Sequence, residues 1–253
     1  MITKEQKLET LFHLKHQLNH YIILKRVPWQ LVRMETRLNR RLNTIFNKMI
    51  NNLLRDPLYT GRDVEEMVRG AYGSVIPSTY HQATLEISKL PGIDVSSAIK
   101  GPSSWGKLME DRTFKASERT IDRMTGDVLG KMREHVTDGK SQDKTIKELS
   151  NELRDMKRYE LQRITKTETH SIYMEAKQDL FHKVDVIVGK EWVITGDNTR
   201  PWHEEADGQV VPFDEPFSVM DEELMYPGDM DGSAENVINC YCNMNPVKDK
   251  SLL

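Results

Sequence analysis

The residues able to do chemistry crowd into the last quarter of the chain. In order they are Asp197, Thr199, Arg200, His203, Glu204, Glu205, Asp207, Asp229, Cys240 and Cys242. A single residue separates Cys240 from Cys242. On a strand both thiols fall on one face, and a disulfide across one residue would be strained. Two thiolates side by side form a soft-metal donor pair, and His203 with Asp197 would complete the four ligands of a zinc site. Zinc cysteines usually stand two to four residues apart, so other readings stay open. The pair also fits two small, half-buried apolar residues. Asp197, Arg200 and His203 also fit a buried ion-pair and hydrogen-bond network standing in for an apolar core.

A catalytic reading uses the same groups. His203, Glu204, Glu205, Asp207 and Asp197 supply acids and bases for a metal-dependent nuclease or another hydrolase. The local pattern argues against it. His-Glu-Glu lacks the second histidine of a zinc-protease helix, and no Gly-x-Ser-x-Gly occurs. The expectation is a chain that is not an enzyme.

The elements that must position these groups change character near Val184. Val184–Val188 and Glu191–Thr195 are β-branched and read as strands, and Asn236–Cys242 reads as a final strand. Gly, Pro, Asp and Asn stand between them at turn density. Residues 185–247 therefore form a small module, too poor in apolar residues to hold its own core. It needs a polar network, a metal or docking onto helices.

Upstream, helix dominates. Apolar stripes predict helices over 3–26, from Trp29 to about Asp56, from Asp63 to Val75, and from Pro77 to before Pro91. Residues 91–106 are loop-rich. Helix resumes over 105–136 and 143–184, with a break near Met156. Leu31, Met34, Leu38, Leu42, Ile45, Met49 and Leu53 form a heptad-like seam that would suit docking on a partner. The fold class is α+β. A mostly α-helical N-terminal body (1–140) precedes a region (141–253) that ends in the small, loop-rich, β-containing module.

Composition and charge bound the function. Of 253 residues, 38% are apolar and 30% charged, with a net charge of −3. No apolar run suffices for a membrane span, and the N-terminus lacks a signal-like core. Two cysteines exclude a disulfide-stapled scaffold. The net charge hides an asymmetry. Residues 1–60 carry eleven basic against four acidic side chains, whereas residues 191–253 carry three basic against fourteen acidic. Nucleic acid contact belongs to the basic front, because the back repels phosphate. Arg33, Arg37, Arg40 and Arg41, opposite the seam, are the candidate nucleic-acid-binding residues, with Lys25 and Arg26.

The ordered set Trp192, Asp197-x-Thr199-Arg200-x-x-His203, Gly208-Gln209-Val210-Val211-Pro212, Pro227-Gly228-Asp229 and Asn239-Cys240-x-Cys242 resembles the phage Mu protein F-like family of minor head, or head-morphogenesis, proteins. Thr167-Glu168-Thr169-His170-Ser171 resembles the helix that precedes this block in the family. The resemblance covers about residues 145–245. Asn198 and Tyr241 depart from it, each standing where the family commonly has arginine. The resemblance implies an internal virion component in the capsid interior, made in the host bacterial cytoplasm. It also implies a place near the portal protein, contact with scaffold or major capsid protein, a part in DNA packaging and ejection, and non-specific binding of double-stranded DNA. It implies no membrane and no small-molecule substrate. Zinc is the cofactor to test.

Overall fold

The computed structural model describes residues 29–55, 62–99, 102–137, 142–195 and 199–253. The expected helix over 3–26, Lys25, Arg26 and Asp197 lie outside the described residues.

Helix α1 (Trp29–Arg55) has the two faces its periodicity requires. Leu31, Leu38, Leu42, Ile45 and Met49 are buried, while Arg33, Arg37, Arg40 and Arg41 are exposed. The seam is used up inside the chain's own core, packed chiefly against two later helices, α6 (Gln142–Lys183) and α2 (Arg62–Gly73), and more lightly against α3 (Ile76–Ile87). It is therefore not a docking surface for a partner, contrary to the expectation from its heptad-like spacing. Between α1 and α3 lies α2 (Arg62–Gly73), with Asp63 and Glu65 in its first turn, where carboxylates suit the helix dipole. Helix α3 opens with Pro77 in its first turn, where the missing N–H costs nothing. Within the loop-rich stretch stands a one-turn helix, α4 (Ser96–Ile99), and α5 runs from Pro102 to Thr137.

Helix α6 is the axis of the molecule. It runs 42 residues without the break expected near Met156. The polar stretch there is packed rather than bent: Lys157 is buried and donates to Asn43 Oδ1 at 2.6 Å and Asn47 Oδ1 at 2.5 Å on α1. Neither Gly nor Pro stands nearby to kink the helix. Polar pairs fasten α5 to α6. Arg119 grips both carboxylate oxygens of Glu168 through its Nε and Nη2, at 2.9 and 2.8 Å. Arg112 pairs with Glu175 at 2.9 Å and donates to Ser171 Oγ at 2.6 Å.

Beyond α6 the chain forms an antiparallel sheet in the order β2-β1-β5, from β1 (Gly189–Val193), β2 (Val210–Pro212) and β5 (Asn243–Val247). Gly189 stands opposite Pro212 on one side and Val247 on the other. A hairpin of β3 (Phe217–Val219) and β4 (Glu222–Leu224) covers it. Two expected strands are displaced. Residues 184–188 turn out of α6, with Val184 and Ile187 buried at helical spacing and the Ile187 N–H on Val184 O. The segment expected as the last strand instead starts as α8 (Ala234–Val237), following α7 (Pro201–Glu205), and Cys240 and Cys242 precede β5. Asn239, at φ 56°, makes the turn between α8 and the cysteines, a left-handed conformation that asparagine tolerates.

The module's apolar core is small: Trp192, Phe217, Val219, Leu224 and Met244 are fully buried. Helix α6 supplies its floor. Lys177 donates to Asn243 Oδ1 at 2.7 Å, Gln178 to Phe213 O at 2.6 Å, and the Asn239 N–H to Thr167 Oγ1 at 3.1 Å. The helical body with its small β module is the α+β architecture read from the sequence. Among the described residues no helix is long and apolar enough to cross a membrane.

Candidate functional site

His203, Cys240 and Cys242 converge under the sheet, with their nitrogen and sulfur atoms all within 4.8 Å of one another. Helix α7 opens with Pro201, and its single turn aims His203 inward while Glu204 and Glu205 face solvent. His203 Nδ1 stands 3.3 Å from Cys242 Sγ and 3.8 Å from Cys240 Sγ. All three residues are at most 3% exposed.

The proton on His203 is assigned by its surroundings. Trp202 Nε1–H can only donate, and it donates to Asn236 Oδ1 at 2.8 Å. That fixes the orientation of the Asn236 amide. The same oxygen lies 3.1 Å from His203 Nε2, which therefore carries the hydrogen. Nδ1 is left with its lone pair facing the two sulfurs, the arrangement in which a neighbouring acceptor orients a ligating imidazole.

Two more buried groups close the cluster. His170, on α6, is 2% exposed, and neither ring nitrogen has a hydrogen-bond partner. Its ring stands edge-on to Tyr241 at 5.7 Å. The Trp192 ring packs edge-on to His203 at 5.4 Å, and its indole N–H finds no acceptor at hydrogen-bonding distance. The Cys240 thiol is held well below the ordinary range by hydrogen bonding with Cys242, helped by His170 and His203 against the effect of burial. Cys242 is pushed up by sharing its proton with Cys240, by burial and by the charge on Cys240.

The remaining residues of the ordered set build the frame. Asp229 accepts from the Met225 and Asp231 N–H groups and shapes the Pro227-Gly228-Asp229 turn. Gly228 sits at φ 77°, and a β-carbon there would come within 3.0 Å of His170 Cδ2. Gly208, at φ 80°, closes the β1–β2 connection with its N–H on Trp192 O at 2.9 Å. Thr199 is half-buried, and the Arg200 guanidinium donates to Ile238 O. Of the expected network, Asp197 lies outside the described residues, and the other two members bond to other groups. His203 pairs with an amide and Arg200 with a backbone carbonyl. Sequence reading placed His203 and the two cysteines in the site but missed His170, whose signal was a run of polar residues on the buried face of α6.

Two of the groups the hydrolase reading needs are engaged in structure. The His203 ring is buried with Nε2 committed to Asn236, and Asp207 Oδ1 accepts the Ile194 N–H at 2.9 Å.

The arginines of α1 divide between two surfaces. Arg33, Arg37 and Arg40 line an open groove of about 890 Å³ against α3, with Pro77, His81 and Gln82. Arg41, with Arg40, borders a separate groove against α2. Arg33 stacks over Trp29 at 5.1 Å from the ring centre.

Residues 127–245 match the phage Mu protein F like protein family. Over that stretch the chain is similar to the family, as the resemblance read from its motifs implied. The match takes in His170, His203, Cys240 and Cys242. Uncharacterized protein YqbB of Bacillus subtilis is 27% identical over 117 residues, 43% of this chain and 38% of that protein. The NAD(+)--arginine ADP-ribosyltransferase EFV of Enterococcus faecalis is 27% identical over 148 residues, 57% of this chain and 29% of that protein. The chain thus spans well under half the length of either relative. No solved structure matches it.

Proposed function

We propose that this chain is a minor head protein of a tailed bacteriophage, acting inside the capsid beside the portal in head assembly and in DNA packaging or ejection. The observation that carries this reading is the family match over 127–245, which covers the Cys–His site together with the whole of the helix the module docks on. The protein is made in the host cytoplasm and ends in the virion.

The charge map supports different contacts for the two halves. Arg33, Arg37 and Arg40 face solvent along one groove and suit the phosphates of packaged double-stranded DNA, read without sequence preference. The module exposes Asp214, Glu215, Asp221, Glu223, Asp231 and Glu235, which repel phosphate and leave that surface for protein. Portal protein is the first partner to test, then scaffold and major capsid protein.

The test is a pull-down of the tagged chain from phage-infected cells, with and without DNase. Portal or scaffold protein recovered after DNase supports the assignment. Recovery of host enzymes alone, or of proteins bridged only by DNA, overturns it.

A further inference from the structure

We propose that Cys240, Cys242, His203 and His170 form a structural zinc site, in which His203 coordinates through Nδ1 and His170 is the fourth ligand. For His203, Cys240 and Cys242 the geometry needs little adjustment, and His170 at the edge of the cluster must turn its ring inward. Zinc–sulfur and zinc–nitrogen bonds of about 2.3 and 2.0 Å at tetrahedral angles set N···S at about 3.5 Å. The two N···S separations, 3.3 and 3.8 Å, straddle that value.

The second observation is His170. At 2% exposure, with both ring nitrogens unpartnered, it is an unpaired imidazole at the edge of the cluster. A thiol–imidazole hydrogen-bond cluster engages His203 at 3.3 Å from Cys242 Sγ but gives His170 no well-formed hydrogen bond, whereas a metal occupies one of its nitrogens. Charge balances as well. On binding, the two thiols give up their protons to solvent, and the two thiolates neutralise the dication while both imidazoles stay neutral. A buried ion is tolerable only when compensated in this way.

The surrounding groups suit the role. Asn236 holds the tautomer of His203, and the Trp192 N–H is available to the sulfur side. Gly228 has no β-carbon, which leaves His170 its place. The site joins α6, α7 and the lead into β5 in a module with a small apolar core, the setting in which a metal replaces missing hydrophobic burial. Donors of this type closed on all four sides select zinc for structure rather than for catalysis.

The full chain, purified from cells grown with added zinc, is weighed under native and denaturing conditions. One zinc per chain is expected, lost on denaturation. Replacement by cobalt should give the thiolate charge-transfer band and the intense visible bands of a tetrahedral site. Cys242→Ser should abolish the charge-transfer band or shift it, and His170→Gln should weaken cobalt binding at least tenfold while the circular dichroism stays that of the parent. The wild-type mass and spectrum stand even if a variant fails to fold. A metal-free wild type that gives no cobalt spectrum overturns the site, whether its thiols are free or its mass is two hydrogens short, as a Cys240–Cys242 disulfide would make it. Wild-type affinity and spectrum in His170→Gln overturn the assignment of the fourth ligand.

Discussion

Lys177 Nζ, with no exposed surface, sits 2.8 Å from Glu86 Oε1 and 2.7 Å from Asn243 Oδ1. One buried ammonium thus joins α3, α6 and β5, and so ties the helical body to the module. Burial would raise the Glu86 carboxyl, but the charge and hydrogen bonds of Lys177, with the hydroxyl of Tyr173, outweigh it and hold the group below the usual range. Removing one member of such a pair leaves the other buried without compensation, at a cost of about 3–5 kcal/mol. Lys177→Ala should lose stability on that scale in urea unfolding. Lys177→Met with Glu86→Gln should lose less than Lys177→Met alone, because no charge is then stranded. Equal losses in the single and double variants would show that the ion pair is not what holds the module down.

This link also marks what the sequence hides. The extent of α1 was legible because Leu31 to Met49 repeat at helical spacing and Asp56-Pro57 stops them. The exposure of Arg33, Arg37, Arg40 and Arg41 followed from the same period. Partner choice did not follow. A seam looks the same whether it meets another protein or α2 and α6 of its own chain. Nothing in the sequence marks Lys157 and Lys177 as buried, because the asparagines and glutamate that receive them are far away in sequence. The strands slipped for a related reason. Val184–Val188 has the right composition, but pairing of Gly189 with Val247 decides where the ladder begins. His203 and the cysteines were legible as reactive types in one stretch. His170 was not, since only tertiary docking brings α6 beneath them.

Glu35, also on α1, gives the chain a pH dependence. Burial raises its carboxyl from 4.5 to about 7, against the opposing effects of Lys166 and of a hydrogen bond from Tyr241. The folded chain therefore holds this proton more tightly than the unfolded chain. The contribution to stability is fully present below about pH 4.5 and is lost as pH rises through 7. A shift of this size corresponds to roughly 3 kcal/mol. Glu35→Gln keeps an acceptor for Tyr241 and has no proton to lose. Its unfolding free energy should change less than the parent's between pH 5 and 8, and should exceed the parent's at pH 8. Parallel profiles for the two proteins would contradict the assignment.

Gly228 and Gly208 form a matched pair of tests. Both hold positive φ, 77° and 80°. A β-carbon at Gly208 meets nothing within 4 Å, whereas one at Gly228 meets His170 Cδ2 at 3.0 Å. Gly208→Ala should therefore cost only the left-handed backbone penalty of about 1–2 kcal/mol. Gly228→Ala should cost that and a displacement of His170, and should melt several degrees below Gly208→Ala. Equal melting temperatures would mean that His170 yields freely and is not held in place by the turn.

The arginine face makes a prediction that separates DNA contact from solvated charge. Each phosphate neutralised contributes about −0.9 to the slope of log K against log salt on duplex DNA. A face that engages about six phosphates gives a slope near −5. Replacing Arg33, Arg37, Arg40 and Arg41 by glutamine should make the slope shallower by about 3–4, with little change in sequence preference. The replaced side chains are exposed, so stability should move by no more than about 0.5 kcal/mol per site. Because Arg41 borders a different groove from Arg33 and Arg37, the single variants should differ. If DNA lies against α3, Arg33→Gln and Arg37→Gln each lower the slope by about one phosphate and Arg41→Gln does not. If Arg41→Gln has the larger effect, the DNA lies against α2 instead. A slope unchanged by all four replacements would show that the charge of α1 serves only to keep that helix in water.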